Sequence, residues 1–343
     1  MQTLIITIIS AIFVFGLLIL AHELGHYYIA RLTGIRVIEL AIGFGPKLVG
    51  WSKKGIDYSL RAVPLGGFCR LMGENPEEAS DPDSFPQKPI LSRLAVLLAG
   101  SVMNLLLALL VFFLIFFFII GTPTDTTEIG YIVEDSPAED RGLQVGDRIT
   151  SIDNEPVETF DDIIAVVSTR ANEEFPITVE REGQEVSYTI TAEQEPETGR
   201  GIIGVGQQLE RYGLVSSVQH SFRQYGLVLS AFYYVLAGDA PLDDVAGPVG
   251  IVHIIGEAAQ TGLLNLLTLT ALISINLGII NLLPIPALDG GRILFLLIEA
   301  VRGRPIEPEK EGFIHFLGFA LLITFILFIT YQDVLRLFFG PNN

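Results

Sequence analysis

The chain has 343 residues, half of them hydrophobic, and a mean hydropathy of +0.51, which argues against a purely soluble protein. The formal net charge is −18, and the segment from Gly121 to Thr261, with 25 acidic and 7 basic residues, carries all of it. An acidic surface repels a nucleic-acid duplex, so nucleic-acid binding is excluded as a function. The single cysteine, Cys69, cannot form an intrachain disulfide.

The first apolar segment, residues 4–30, is long enough to cross a bilayer and contains His22-Glu23-Leu24-Gly25-His26. It lacks the basic start of a signal peptide, because the first basic residue is Arg31, so we interpret it as a retained transmembrane helix. Helix positions i and i+4 share one face, so His22 and His26 can reach one zinc ion. Glu23 is offset by one position and can serve as a general base. Ionisable groups inside a membrane span are functional by default.

Short strands broken by glycine are predicted across residues 34–71, at 36–42, 47–51 and 58–63. Gly43 and Gly45 suit a tight turn or a close approach of another chain to the backbone. This segment is therefore expected to form a β-rich loop that is cytoplasmic or re-enters the membrane.

The second span is predicted at residues 94–120, and an acidic α+β domain follows it. Strands are predicted at 131–133, 148–152, 177–181 and 186–191, and a helix at 160–169. Ser136 and Pro137 are expected to cap and begin a further short helix. Residues 214–236 then form a moderately amphipathic helix, which either lies on the membrane surface or connects the domain to the next span.

The third span, residues 263–283, leads into Asn281-Leu-Leu-Pro-Ile-Pro-Ala-Leu-Asp289-Gly-Gly. Two prolines break the helix, and irregular backbone at that depth must line a cavity or pack on protein. Asp289 is the best-placed third zinc ligand, although it could instead cap the next helix. Asn281 could donate to an oxyanion or to the substrate backbone, or form an interhelical hydrogen bond. Asn104 in span two offers the same two interpretations, and for this residue the interhelical hydrogen bond is preferred.

The fourth span is predicted at residues 313–331. Nine basic residues lie between the first two spans and four more lie between the third and the fourth, which places both loops in the cytoplasm. The acidic domain and both termini are then extracytoplasmic. Spans one and three both end on the cytoplasmic side, so the three ligands can share one depth near that side of the membrane.

The HELGH motif and the segment Asn-x-x-Pro-x-Pro-x-Leu-Asp-Gly at 281–290 together resemble the site-2 protease family of intramembrane zinc metalloproteases, in its bacterial regulator-of-sigma-E protease branch. The resemblance implies Zn²⁺ on His22, His26 and Asp289, with Glu23 activating a zinc-bound water. It further implies that the β-rich loop, with Gly43 and Gly45, pairs with an unwound substrate. Residues 247–251, Gly-Pro-Val-Gly-Ile, resemble another family segment. Ser101 departs from the family pattern, which usually has proline there.

Within the central domain, residues 132–138, 142–147 and 149–153 resemble a PDZ module of the bacterial protease type, present once. Such domains bind extended chain ends by strand addition, so the domain is expected either to bind a peptide or chain end, or to exclude folded ectodomains sterically. The fold expected is therefore a polytopic α-helical membrane protein with about four transmembrane helices, a membrane-associated β-rich loop and an inserted α+β PDZ domain.

The predicted domain organisation follows the chain, with each helix or domain separated by a loop. The predicted boundaries are 1–31 for the first helix, 32–92 for the β-rich loop, 93–121 for the second helix, 122–206 for the PDZ domain, 207–262 for the amphipathic connection, 263–291 for the third helix, 292–312 for a cytoplasmic loop and 313–343 for the fourth helix and tail.

The predicted function is zinc-dependent cleavage of transmembrane segments in single-span membrane proteins, such as anti-sigma factors or remnant signal peptides. The bilayer, in the cell's inner membrane, is the other expected partner. A transporter is disfavoured because the chain shows one HExxH and no matching second half. An inactive membrane anchor for the PDZ module is disfavoured because all four candidate catalytic residues are present.

Overall fold

The computed structural model describes residues 2–124, 126–196, 198–236 and 246–339. The helices are α1 Gln2–Leu32, α2 Ile90–Phe118, α3 Pro137–Asp140, α4 Phe160–Ser168, α5 Leu214–Leu236, α6 Pro248–Thr261, α7 Leu263–Leu282, α8 Asp289–Arg302 and α9 Pro308–Phe339. The strands are β1 Val37–Lys53, β2 Ile56–Leu71, β3 Gly121–Pro123, β4 Ile129–Ile132, β5 Arg148–Ile152, β6 Glu155–Pro156, β7 Glu174–Arg181, β8 Gln184–Thr191, β9 Glu193–Gln194, β10 Gly201–Ile202, β11 Val205–Gln207 and β12 Leu209–Arg211. Two compact units result: Met1–Ile115 with Val218–Asn343, and Phe116–Ser217.

Four of the described helices are long and apolar enough to cross a membrane: Thr3–Leu32, Ile90–Phe118, Leu263–Leu282 and Pro308–Arg336. At 1.5 Å per residue, about 20 residues suffice for a hydrocarbon core of about 30 Å. The prediction of four spans is confirmed, and the chain is an integral membrane protein.

Strands β1 and β2 form one long, curved hairpin rather than the three short strands predicted from residues 34–71. The first half of β1 lies between the two halves of β2, because Ile42 pairs with both Gly67 and Leu60. Gly43 and Gly45 have φ of +90° and +83°, values that L side chains rarely adopt. The glycines therefore bend a continuous strand instead of ending it, which is why the sequence pattern was misread as separate strands.

The hairpin packs on the second half of α1 through an apolar cluster that includes Tyr27, Ala30, Val37, Leu40 and Leu71. Its other apolar side chains face outward: Leu48 is 64% exposed and Trp51 is 56% exposed. A β element with one face on a transmembrane helix and the other apolar and exposed fits the predicted membrane-associated loop.

Helix α6 is too short to span a bilayer and packs on the first half of α1. Ile255 is fully buried among Ala11, Val14 and Leu18 of α1. A Cβ at Gly256 would overlap Thr7, so the glycine permits close approach of the two helices. The sequence predicts only an amphipathic connection for residues 207–262, which include this helix.

The amino end of α6 is capped by a side chain from a distant helix. Asp333 of α9 is only 4% exposed, and its carboxylate accepts hydrogen bonds from the backbone N–H groups of Gly247 (3.1 Å) and Gly250 (2.8 Å). A Cβ on Gly247 would lie 2.6 Å from Asp333 Oδ2. The Gly-Pro-Val-Gly segment, which carried no assigned role in the sequence, thus provides backbone donors for a buried carboxylate.

The unit Phe116–Ser217 is an α+β domain, as predicted. Its four-stranded sheet has the order β6-β5-β7-β8 and packs against α4. The core includes Ile149, Ile152, Phe160, Phe175 and Ile177. The described unit is wider than the predicted 122–206 because β3 pairs with β12, which joins the two ends of the domain.

The predicted start of the short helix α3 is confirmed, and the structure adds a capping box and a buried ion pair in the same domain. The Ser136 side chain accepts a hydrogen bond from the Glu139 N–H at the start of α3, and Pro137 is its first residue. Thr159 and Asp162 form a capping box at the start of α4. Asp147, 1% exposed, forms an ion pair with Arg181 at 2.7 Å.

Candidate metal centre

Helix α1 places His22 and His26 on one face, one turn apart, with ring centroids 4.8 Å apart. Their Nε2 atoms are 3.1 Å from each other. Asp289 Oδ2 lies 3.2 Å from His22 Nε2 and 3.4 Å from His26 Nε2. Three potential ligand atoms from opposite ends of the sequence therefore form a nearly equilateral triangle.

This triangle fits a zinc ion. Zinc binds imidazole nitrogen and carboxylate oxygen at about 2.0–2.2 Å in tetrahedral geometry, which separates neighbouring ligand atoms by about 3.3–3.5 Å. Asp289 Oδ2 is buried and has no hydrogen-bond partner among the described residues. A buried carboxylate oxygen without a donor needs compensation, and a cation would supply it. Three protein ligands are also the usual number for a catalytic zinc.

The tautomer of His26 also favours metal binding. Its Nδ1 lies 2.8 Å from the backbone carbonyl oxygen of Val96 on α2, and a carbonyl only accepts, so Nδ1 carries the proton. The lone pair is therefore on Nε2, the atom that faces Asp289. A carbonyl partner on the second ring nitrogen is the common arrangement around protein metal sites.

His22 has a corresponding neighbour in Asn104 of α2. Asn104 Nδ2 lies 3.4 Å from His22 Nδ1, and the fully buried Asn104 Oδ1 has no partner among the described residues. With the amide turned by 180°, Asn104 Oδ1 accepts the Nδ1–H of His22 and gains the partner it otherwise lacks. That arrangement leaves His22 Nε2 free to bind metal, and it places Asn104 closer to the chemistry than its sequence context indicated.

The break between α7 and α8 brings Asp289 to the histidines. Leu283 N–H and Ile285 N–H close tight turns after α7, and Asp289 is the first residue of α8. A Cβ on Gly290 would overlap the carbonyl oxygen of Leu283, and one on Gly291 would lie 2.5 Å from that of Ile285. These glycines are needed for close packing inside the first helical turn. The alternative interpretation of Asp289 as a helix cap is not realised, because Leu288 is at the N-cap of α8 and no side chain caps it there.

Gly100 on α2 lines the site and was missed from the sequence. A Cβ there would overlap His26 Nε2 and lie 2.7 Å from His22 Nε2. Gly25 on α1 faces the same junction, because a Cβ on it would overlap the Ala99 carbonyl oxygen. The detectable signal was a pair of small residues, Ala99 and Gly100, within a span rich in leucine and phenylalanine.

Glu23 lies between α1 and the hairpin. Its Cγ would be 3.2 Å from a Cβ on Gly67 of β2, and the Cys69 backbone forms a hydrogen bond with its carboxyl. Glu23 also interacts electrostatically with His22, His26 and Asp289, so it belongs to the same buried group.

Three further predicted residues are Gly43, Gly45 and Asn281. Among the described residues, none of them forms a hydrogen bond with a proposed zinc ligand. Gly43 and Gly45 lie at the bend of β1, next to Ile42, which pairs with Gly67. Asn281 is half-buried in the last turn of α7, and its amide has no hydrogen-bond partner among the described residues. The interhelical hydrogen bond considered for it is therefore not formed there.

Comparison with known proteins decides the class of this site. The family model described as Peptidase family M50 matches residues 10–325. The chain belongs to peptidase family M50. This family comprises the site-2 proteases, so the resemblance inferred from the motifs is confirmed. M50 membership identifies a zinc metalloendopeptidase and leaves the transporter and the inactive anchor without support.

Curated relatives match the M50 chain over nearly its whole length. Zinc metalloprotease RasP of Geobacillus kaustophilus is 34% identical and covers 97% of this chain and 98% of its own. Regulator of sigma-W protease RasP of Bacillus subtilis is 31% identical and covers 97% of this chain and 99% of its own. Among solved structures, the PDZ domain of the SdrC-like protein from Listeria monocytogenes is 20% identical over 26% of this chain and 93% of its own, with a TM-score of 0.23, too low to carry an argument.

Proposed function

We propose that His22, His26 and Asp289 hold the catalytic zinc and that Glu23 is the general base of an intramembrane endopeptidase. The observation that carries this proposal is the triangle of His22 Nε2, His26 Nε2 and Asp289 Oδ2, with sides of 3.1–3.4 Å. Bound zinc would act as a Lewis acid, lowering the pKa of water towards about 7 and polarising the peptide carbonyl.

Glu23 is placed to accept the proton from the attacking water and return it to the leaving amine. Its side chain is partly buried and faces Gly67 of the hairpin. Asn281, with its unpartnered amide in the last turn of α7, is our candidate for binding the oxyanion or the substrate backbone.

The hairpin would present the substrate in an extended form. A helical segment hides its peptide bonds, so cleavage needs unwinding. The second half of β2 pairs with β1 on one side and has no strand on its other side among the described residues. A Cβ on Gly67 of this edge would lie 3.2 Å from Glu23 Cγ, so a substrate strand added here would run beside the base. The bend at Gly43 and Gly45 shapes this edge.

We propose as substrates the transmembrane segments of single-span membrane proteins, such as membrane-anchored anti-sigma factors or remnant signal peptides. The Bacillus subtilis relative is named a regulator of sigma-W protease, which favours the first class. The acidic domain, which we infer to be PDZ-like, would stand on the extracytoplasmic side of the inner membrane, binding a peptide or chain end or excluding folded ectodomains.

Cleavage of a single-span substrate by the full chain in detergent tests the proposal. Glu23→Gln should keep one zinc per chain and lose about 10²–10⁴-fold in rate, since it lacks only the base. His22→Ala and Asp289→Asn should lose zinc as well as activity.

Glu257→Gln is the matched control, because Glu257 is an exposed carboxylate on α6. It should cleave like wild type. Equal cleavage by Glu23→Gln and wild type would remove Glu23 from the mechanism, and full zinc content in Asp289→Asn would remove Asp289 from the ligand set.

A further inference from the structure

A cavity of about 600 Å³ opens at the carboxyl end of α1, away from the zinc ligands. Arg31 of α1, Arg36 before β1, and Lys53 and Lys54 at the hairpin turn line it, together with Asp83. Four cationic side chains from three separate stretches of sequence thus converge on one polar cavity.

None of these four cations forms an ion pair with another described residue. The one acidic lining residue, Asp83, pairs instead with Lys88 at 3.1 Å, and Arg31 donates a hydrogen bond to the Tyr27 hydroxyl at 2.9 Å. Within a protein of net charge −18, this is a local excess of positive charge without a counter-ion. Mutual repulsion of the four groups is relieved by bringing an anion into the cavity.

The surroundings place this cavity at a membrane–water interface. Arg31 is at the end of the first span, Tyr28 is 51% exposed, and Trp51 is exposed and stacked on Tyr58 with ring centroids 5.6 Å apart. Aromatic side chains and arginine at the end of a span are typical of the headgroup level. The anion concentrated at that level is the phosphate of an anionic lipid.

We propose that this cavity binds a phosphate group carried by an anionic phospholipid of the leaflet in which α1 ends. The two guanidinium groups can bind phosphate oxygens bidentately, and the two ammonium groups add point charges from the hairpin turn. A bound headgroup would join the end of α1 to the β1–β2 turn. The same hairpin borders Glu23 at Gly67.

The protein carries its own reporter, because Trp51 is the only tryptophan and stacks on Tyr58, which lines the cavity. We would titrate the full chain in uncharged detergent with short-chain phosphatidylglycerol and follow Trp51 fluorescence. A saturable change is expected with phosphatidylglycerol, and none with phosphatidylcholine, whose headgroup is neutral. Competition by millimolar inorganic phosphate would show that phosphate from any source suffices; no competition would assign the site to the lipid headgroup.

Arg36→Gln/Lys53→Gln should weaken phosphatidylglycerol binding about fivefold for each charge removed. Arg304→Gln/Lys310→Gln removes one arginine and one lysine outside the cavity and should bind like wild type. The proposal is overturned if both double variants bind equally, or if phosphatidylcholine produces the same saturable change as phosphatidylglycerol.

An independent observation concerns His315 of α9 and the backbone that leads to Asp289. Ala287 has a φ of +81°, a left-handed conformation that is strained for a residue with a side chain. Its N–H donates to His315 Nδ1 at 2.9 Å. One turn further along α9, a Cβ on Gly318 would overlap Pro286, so α9 packs closely on the same loop.

We infer that His315 is a positioning residue for the zinc ligand Asp289; this rests on the ligand set proposed above. Ala287 is two residues before Asp289, so relaxing its backbone to a negative φ would rotate the carboxylate away from His22 and His26. The acceptor on His315 stabilises the strained conformation, as strain at functional sites requires.

Zinc affinity of the full chain, measured by competition with a chelator, tests this inference separately from activity. His315→Ala should weaken zinc binding about tenfold or more. His315→Asn should retain most of the affinity, because its amide oxygen can take the place of Nδ1. Ala287→Gly in the His315→Ala background should recover affinity, because glycine adopts positive φ without strain.

His253→Ala, which removes an exposed histidine on α6, is the matched control and should bind zinc like wild type. Wild-type affinity in His315→Ala would refute the positioning role. A loss that neither His315→Asn nor Ala287→Gly recovers would mean that His315 acts only by filling space. If Asp289 is not a zinc ligand at all, Asp289→Asn will bind zinc fully, which distinguishes that outcome from a failure of the positioning role of His315.

Discussion

At the scale of single residues, each histidine of the candidate metal centre has a neighbour on α2 at its second ring nitrogen. The Val96 carbonyl holds His26, and Asn104 lies beside His22 Nδ1. Ser274 of α7 donates to the Asn104 carbonyl at 2.7 Å, which ties the same residue to a third helix. The second ring nitrogen of a metal-binding histidine normally has such a partner, since it sets the tautomer.

Asn104→Leu is expected to weaken zinc binding about 10–100-fold, because His22 Nδ1–H loses its acceptor and the ring its orientation. Asn104→Asp, which keeps an acceptor at the same place, should lose much less. A chelator competition assay on the full chain measures both. Asn265→Leu, on α7 at an exposed position, is the control. Identical zinc affinity in Asn104→Leu and wild type would contradict this role.

At the scale of elements, helix packing around the site depends on glycines and on one long-range cap. Gly25 and Gly100 let α1 and α2 approach closely at the metal centre. Helix α6 has no side-chain cap of its own, and Asp333 of α9 supplies the acceptors instead. Because α6 packs on α1, this cap supports the helix that carries three of the four proposed catalytic residues.

Asp333→Ala should lower the thermal stability of the full chain by several degrees, because two buried N–H groups lose their acceptor at about 1–3 kcal/mol each. Asp333→Asn keeps one acceptor oxygen, so its thermal stability should lie between those of wild type and Asp333→Ala. Thermal unfolding in detergent measures the shift, with Glu309→Ala, an exposed acidic residue on the same helix, as control. An unchanged midpoint in Asp333→Ala would show that the cap contributes nothing.

The Asp147–Arg181 pair predicts a pH dependence in the acidic domain. Burial by itself would raise the pKa of Asp147, but hydrogen bonds from Arg181 and the Gln144 N–H hold the pKa of this carboxyl below its ordinary value. A lowered pKa in the folded state stabilises the domain above the unfolded value of about 3.9 and is lost as pH falls through the folded value.

Hydrogen exchange of β5 and β7 amides in the full chain measures this effect. Wild type should be more protected than Asp147→Asn above about pH 4, and the difference should vanish as pH falls further. Asp161→Asn, an exposed residue on α4, is the control. A difference that persists or grows at low pH would contradict the assignment.

At the scale of the whole molecule, the ligands come from the first span and from the break after the third. The two HExxH histidines and the distant aspartate meet within 3.4 Å, as the prediction that both chain segments end at one depth requires. The proposed orientation places this depth near the cytoplasm and the acidic domain on the opposite side, with the basic loops inside.

Membrane-impermeant maleimide tests this orientation in intact cells. Wild type is the control without labelling. Burial raises the pKa of its single thiol, Cys69, and should make this thiol unreactive towards maleimide. Gly183→Cys, in the exposed β7–β8 turn, should be labelled from outside, whereas Arg304→Cys should be labelled only after the cells are opened. Labelling of Arg304→Cys in intact cells would reverse the topology.

The sequence by itself determined the spans, the family and its zinc dependence, because these depend on local composition and on short motifs. The i, i+4 spacing of His22 and His26 already predicts a shared face, and the Leu-Asp-Gly motif marks Asp289. Strand and helix signals in the acidic domain, such as the cap at Ser136, are equally local. All these features need only neighbouring residues to be recognised.

Only the tertiary structure decided the rest, because the remaining contacts join residues that are far apart in sequence. Asn104 is 82 positions from His22, and Asp333 is 83 positions from Gly250. The continuous hairpin was hidden because positive-φ glycines within a strand resemble strand ends. A hydrogen bond or a missing Cβ leaves no periodic pattern in a chain, so only packing shows which asparagine, histidine or glycine lies against the proposed ligands and the segment that carries them.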